Sequence, residues 1–64
     1  MMLDAILEIM EKMIQADYEK VVTYSDRMIY GEDAKTRYSA KRALQRVLTR
    51  YGLTMEDFWV WENS

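Results

Sequence analysis

The side chains of this chain that could take part in covalent chemistry are hydroxyls that lack the partners catalysis needs. Ser25, Ser39 and Thr49 are examples, but the sequence holds no histidine and no cysteine. A hydroxyl nucleophile needs a base beside it, and histidine is the commonest general base at neutral pH. Lysine as the base is a formal alternative that no spacing supports. We therefore expect no enzymatic activity.

Carboxylates offer the next candidate chemistry, which is metal binding. Glu8 and Glu11 are three residues apart, so on a helix they lie on one side. Without histidine, or a second carboxylate pair at matching spacing, the pair is typical of a solvated helix face. Phosphate-cradling loops, EF-hand loops and nucleotide fingerprints are also missing from the sequence. We expect neither a metal ion nor another cofactor.

Basic residues are concentrated in one stretch of an otherwise acidic chain. Residues 35–50 carry six of the nine basic residues and no acidic one, although the formal net charge is -2. On a helix, four of these cations form a stripe opposite the apolar face, and a tyrosine lies beside it. Such a stripe can follow a phosphate backbone; the alternatives are a basic patch that faces a protein partner and a solvated face. The residues of this stripe are Lys35, Tyr38, Arg42, Arg46 and Arg50.

Three large aromatic side chains lie close together near the end of the sequence. On a helix Phe58 and Trp61 share one face, whereas Trp59 is turned away from Phe58 by roughly 100°. One of the three should therefore be partly exposed. Tryptophan is enriched among interface hot spots, so the aromatic end either closes the core or contacts a partner. Trp59 is the better interface candidate.

Helices must position these groups. Proline is absent, and the only two glycines, Gly31 and Gly52, are spaced as two helix C-caps would be. Apolar periodicity predicts helices over 3–16, 18–30 and 33–51, followed by a short helix over 55–61.

The segment 3–30 contains a change of phase. A single straight helix would rotate the second apolar stripe by roughly 90° from the first and would place Asp17 inside the apolar arc. A break near Ala16-Asp17, with Asp17 as the N-cap of a second helix, resolves both problems. One continuous helix, and a short strand over the β-branched residues 21–24, are the alternatives.

Residues 53–58 carry the start signals of the last helix. Thr54 is followed three residues later by Asp57, which resembles a capping box with aspartate in place of glutamate. Leu53 and Phe58 occupy the two hydrophobic-staple positions around it. The stretch therefore predicts a tight turn into a fourth helix.

Length and composition limit the architecture. A chain of 64 residues that is 50% hydrophobic predicts one small domain over 1–64, and a core this small favours self-association or a partner. The fold class is all-α, either a small three-helix bundle or a helical hairpin, with the short fourth helix added. The first helix has an apolar arc of roughly 200°, which also fits a homodimer. Acidic residues interrupt the N-terminal apolar run, so we expect no signal peptide, no membrane contact and a cytoplasmic location.

The stretch AKRALQRVLTRYGLTMEDF, residues 40–58, resembles in its general character small helical proteins of phages and other mobile elements. The resemblance implies a protein that acts by binding a larger machine, and so blocks or recruits it.

Together these observations predict a non-enzymatic protein-interaction module, an inhibitor or adaptor that binds a larger protein or complex. The expected contact surface combines Trp59 and Trp61 with Arg42, Arg46 and Arg50. The first alternative is a small nucleic-acid-binding protein that uses the stripe of cations and Tyr38. The second alternative is a structural oligomer subunit.

Overall fold

The chain folds into four helices in a computed structural model, which describes residues 2–64; Met1, the first residue of the predicted domain, lies outside the described residues. The all-α fold is confirmed, and residues 21–24, the alternative strand, lie inside the second helix. The helices are α1 (Leu3–Lys12), α2 (Gln15–Tyr30), α3 (Ala34–Arg50) and α4 (Met55–Glu62).

An antiparallel hairpin of α2 and α3 forms the main body. Three residues connect the two helices, and Asp17 at the start of α2 contacts Tyr51 directly after the end of α3. The helix α4 packs mainly on α1 and to a smaller extent on α3. All four helices contribute to one apolar core, whose largest fully buried side chains are Ile6, Val21, Leu44, Val47, Leu48 and Phe58.

The predicted break between the first two helices exists, but its predicted position was wrong. The helix α1 ends at Lys12, and Met13 and Ile14 are extended, with ψ angles of 142° and 135°. Ile14, and not Asp17, is the N-cap of α2, and it makes no side-chain cap hydrogen bond. Two extended residues reset the helical phase, so that Met13 is buried in the core and Asp17 in the first turn faces α3. Neither glycine nor proline marks this break.

The two glycines end helices as predicted, for different physical reasons. Gly52 has a φ of +72°, and open space surrounds the position of a Cβ there. Its amide donates to the carbonyl of Thr49 at 3.0 Å, and the Leu53 amide donates to that of Leu48 at 2.9 Å, which is a Schellman motif. Gly31 has an ordinary φ of -58°, but a Cβ there would lie 2.5 Å from the carbonyl oxygen of Arg27.

Side chains cap the starts of α3 and α4. The Thr36 amide donates to Asp33 Oδ1 at 2.7 Å. The capping box of α4 is confirmed, because the Thr54 amide donates to the Asp57 carboxylate and the Asp57 amide donates to Thr54 Oγ1. The amide of Thr36 lowers the pKa of Asp33, and the amide of Thr54 lowers the pKa of Asp57. Both caps therefore favour the ionised carboxylate, and their stabilisation is present above the ordinary aspartate pKa and lost below it.

Substitution should separate the two glycine roles. Gly52→Ala should cost about 1–2 kcal/mol, because a left-handed conformation is strained for alanine, and Gly52→Asn should cost less, since asparagine enters that region more readily. At Gly31 the obstacle is the Cβ itself, so asparagine should destabilise the fold at least as much as alanine does. Urea unfolding of the four variants measures both differences. An asparagine that outperforms alanine at Gly31 would contradict the steric explanation.

Candidate binding surfaces

A buried carboxylate links the start of α2 to the end of α3. The Tyr51 hydroxyl donates to Asp17 Oδ2 at 2.5 Å, and Asp17 is only 8% exposed. Two cations compensate its charge: Arg50 lies 3.5 Å and Lys20 lies 3.9 Å from Oδ1. The hydrogen bond to Asp17 is the main cause that raises the pKa of Tyr51. The ion pair holds the guanidinium of Arg50, a predicted partner-binding residue, against Asp17.

The remaining cations of the predicted stripe lie in two places, on the outer side of α3 and along a groove. The guanidinium carbon of Arg42 lies 6.0 Å from the centre of the Tyr38 ring, and both side chains are exposed on the outer side of α3. Lys35 and Arg46 instead border a groove between α2 and α3, and there Arg27 of α2 joins them. Arg27 was missed by sequence reasoning, because it belongs to another helix than the stripe.

We call this feature the cationic groove. It has a volume of about 470 Å³, and its lining holds three cations, three hydroxyl groups, two alanines and no carboxylate of the described residues. Among residues 2–64, no carboxylate lies within ion-pair distance of Arg27, Lys35 or Arg46. The lining residues are Tyr24, Arg27, Lys35, Thr36, Ser39, Ala40, Ala43 and Arg46.

The two tryptophans lie on different sides of α4. Phe58 and Trp61 lie on one face of the helix, as predicted, and both contact the core. Trp61 also meets Tyr18 edge to face with ring centres 6.4 Å apart. Trp59 packs its ring against Phe58 at 5.1 Å between ring centres but remains 40% exposed. Two residues correspond to roughly 200° on a helix, so the two indoles do not form one surface.

A second groove lies between α2 and α4, and we call it the apolar groove. Val22, Ile29 and Tyr30 of α2 form one wall, and Trp61 of α4 forms the other. It encloses about 470 Å³, and its only charged lining residues among those the structure describes are the acidic residues Asp26 and Glu62. The full lining is Val22, Thr23, Ser25, Asp26, Ile29, Tyr30, Trp61 and Glu62.

The signal for the apolar groove was present in the sequence as the width of the α2 stripe. Val21 and Met28 face the core, whereas their neighbours Val22 and Ile29 remain 47% and 40% exposed. The sequence pattern alone does not separate these two halves, because both belong to one continuous apolar arc. Only the position of α3 decides which half is buried.

The structure therefore distributes the predicted contact residues over separate surfaces. On α2, the side chains of the cationic groove and those of the apolar groove lie on opposite flanks of the core-facing side. Trp61 lines the groove on one of these flanks, and Arg46 lines the groove on the other. Arg50 pairs with Asp17, Arg42 adjoins Tyr38, and Trp59 points away from Trp61. That each of them contacts a partner stays a prediction.

Comparison with protein-family models, curated proteins and solved structures found no match to this chain. None of the four helices combines the length and the apolar composition that crossing a membrane requires. Across residues 2–64, no three side chains of the acidic, histidine or cysteine types are grouped as a metal site would need.

Removing the Tyr51 hydroxyl should destabilise the hairpin of α2 and α3. Tyr51→Phe deletes the donor to the buried Asp17 carboxylate. The melting temperature should fall by about 6 °C or more, because a hydrogen bond to a charged group contributes about 1.5–3 kcal/mol and each kcal/mol shifts the melting temperature of a domain this small by about 4–8 °C. Tyr38→Phe is the matched control, because that ring is exposed, and it should melt like the wild type. Equal melting temperatures for all three proteins would contradict the structural role of the link.

The difference in stability between the wild type and Tyr51→Phe should depend on pH. The folded-state pKa of Tyr51 is raised above its ordinary value of 10.0, so the protonated hydroxyl stabilises the fold below pH 10 and loses this effect as the pH rises further. The difference in melting temperature between wild type and Tyr51→Phe should therefore be constant from pH 7 to 9 and shrink above pH 10. A difference that grows above pH 10 would reverse the assigned sign.

Proposed function

We propose that this chain is a non-enzymatic protein-interaction module, an adaptor or inhibitor that acts in the cytoplasm and docks through the apolar groove. One observation carries the proposal. Outside the core, α2 presents a second set of apolar side chains along one flank, and Trp61 faces them across a groove.

Contiguity distinguishes this surface from ordinary exposed apolar residues. Single exposed apolar side chains are common on any protein, but several that line one groove together with polar residues are typical of an interaction site. Val22, Ile29 and Tyr30 are all exposed, and they lie along the same groove. Burial of apolar surface contributes about 25 cal/mol per Å², so a partner that covers the groove gains free energy that the isolated chain does not.

Charge at the rim indicates the chemistry of the partner. Asp26 and Glu62 are the charged members of the lining, so the groove favours an apolar segment that carries lysine or arginine beside its aliphatic side chains. From Val22 to Ile29 the wall covers about two helical turns, or roughly 10 Å. An amphipathic, basic helix of a larger protein fits this length and this pattern, as in other helix-in-groove complexes.

Trp61 supplies the anchor for such a helix. Its indole is half-buried against Tyr18 and Phe58, so little side-chain entropy remains to be lost on binding. Tryptophan in a partly formed pocket is also the residue type that most often dominates interface energy. Trp59 and Val60 lie outside this groove, and we assign them no contact with the same helix.

Polar substitution in the groove tests the proposal. Val22→Gln combined with Ile29→Gln should abolish docking without unfolding the chain, because both side chains are already near half exposed. Val60→Gln is a matched control, since Val60 is 45% exposed, close to the 47% of Val22, and lies outside the groove. Affinity capture from the native host should recover one protein with wild type and control and lose it with the double variant.

The recovered protein should then be purified and titrated directly. We expect the double variant to bind it at least about tenfold more weakly, since each buried aliphatic side chain contributes of the order of a kcal/mol. Equal binding by all variants would contradict the assigned surface. The remaining alternative is a structural oligomer subunit, which light scattering over a concentration series tests. A dimer that the double variant disrupts would show that a second copy of the chain occupies the groove. The proposal would then fail.

A further inference from the structure

We propose that the cationic groove binds the sugar-phosphate backbone of a single-stranded nucleic acid. This site lies on the flank of α2 opposite the apolar groove, and the proposal does not depend on the protein partner. Its basis is the combination of cations from two helices with hydroxyl donors and an alanine floor.

The cations of the groove are available to a ligand, unlike others in the basic stretch. Arg37 donates to the carbonyl of Gly31 at 2.7 Å, and Arg50 pairs with Asp17, so both have structural partners. In the described part of the chain, Arg27, Lys35 and Arg46 have no ion-pair partner. Uncompensated cations along a concave surface concentrate positive potential there, although the chain as a whole is acidic.

The spacing of the cations favours a chain of phosphates over one small anion. Lys35 and Arg46 are eleven residues apart on one helix, which corresponds to roughly 16 Å along its axis. A single phosphate could contact both only if the two side chains extended fully towards each other, whereas successive phosphates of one strand match the spacing directly. Arg27 approaches from α2 on the opposite wall, so a strand in the groove meets cations on both sides.

The floor and walls also fit a backbone. Ala40 and Ala43 keep the groove open, since larger side chains would fill it. Ser39 places a hydroxyl donor along the α3 wall, and Tyr24 places one on the α2 wall. The Thr36 hydroxyl also lines the groove, but it hydrogen-bonds Asp33. Hydroxyl groups are common donors to phosphate and sugar oxygens, and such contacts carry no sequence information. The groove therefore predicts binding with little base preference.

An exposed aromatic ring favours a single strand over a duplex. Tyr38 is 62% exposed on the outer side of α3, and Arg42 lies beside its ring. Bases of a single strand are free to stack on such a ring, while paired bases are not.

Fluorescence anisotropy with a labelled oligothymidine of about 15 nucleotides tests the site on the purified full chain. The wild type should bind with an affinity that falls as salt is raised. Arg27→Gln combined with Arg46→Gln should bind about tenfold or more weakly, and its salt slope should be smaller by about 1.4, because two phosphate contacts are lost. The charge-conserving pair Arg27→Lys, Arg46→Lys should retain most of the binding and the slope.

A matched control removes the same charge elsewhere. Lys12→Gln combined with Lys41→Gln changes the net charge equally, and neither residue lines the groove. This control should bind within about twofold of wild type, and circular dichroism should show the same helix content in all variants. Equal weakening by the control would overturn the groove assignment, and so would a wild type without salt-sensitive binding.

Tyr38→Ala separates stacking from charge. It should weaken binding by about tenfold, a typical loss for one stacked base, while the salt slope stays unchanged. Duplex DNA of the same length should compete less well than the single strand. If duplex DNA or polyglutamate of equal charge competes as well as the oligonucleotide, the groove is a general polyanion surface and the proposal fails.

Discussion

The hydrogen bond from Tyr51 to Asp17 fixes where α2 lies against α3, and the rest of the molecule depends on that register. Asp17 is in the first turn of α2, where a carboxylate also meets the positive end of the helix dipole. Tyr51 follows the last turn of α3, so the link closes the hairpin at the end opposite Gly31. A carboxylate buried without partners would cost several kcal/mol. Arg50 and Lys20 provide the compensating charge, and the register that satisfies Asp17 is thereby favoured over its neighbours.

This register places one narrow face of α2 in the core and leaves two flanks in contact with water. In a larger domain, further helices would cover both flanks. Here α4 reaches only one of them, and it does so through Trp61. The other flank remains open between α2 and α3 and collects the cations of both helices. A single helix therefore borders two chemically different grooves in this four-helix arrangement.

Features set by local sequence were predictable, and features set by packing were not. The capping box at Thr54 depends only on residues that are neighbours in sequence, and the same is true of the helix end at Gly52. The break at Met13 and Ile14 has no such signal, because it exists to bury Met13 and to turn Asp17 towards Tyr51. The phase change in the apolar pattern revealed that a break was needed, but its position depended on a contact between residues 34 positions apart.

The candidate surfaces show the same division. That Trp59 and Trp61 point in different directions follows from helix geometry and was predictable. That Val22 and Ile29 remain exposed while Val21 is buried depends on where α3 lies, since all three belong to one apolar arc. Arg27 joins Lys35 and Arg46 only because the hairpin aligns two helices that the sequence presents in succession. A stripe can be identified on one helix, but a groove requires two.

The two grooves carry different charges, so both proposed ligands can bind at the same time, each in its own groove. Asp26 and Glu62 repel a phosphate backbone from the apolar groove, and Arg27, Lys35 and Arg46 repel a basic helix from the cationic one. Each groove thus discriminates against the ligand of the other by charge as well as by shape. Because α2 borders both, the two ligands would be held on opposite flanks of one rigid helix. An adaptor between a protein and a nucleic acid needs two separate binding sites of this kind. An inhibitor would need only one of the two grooves.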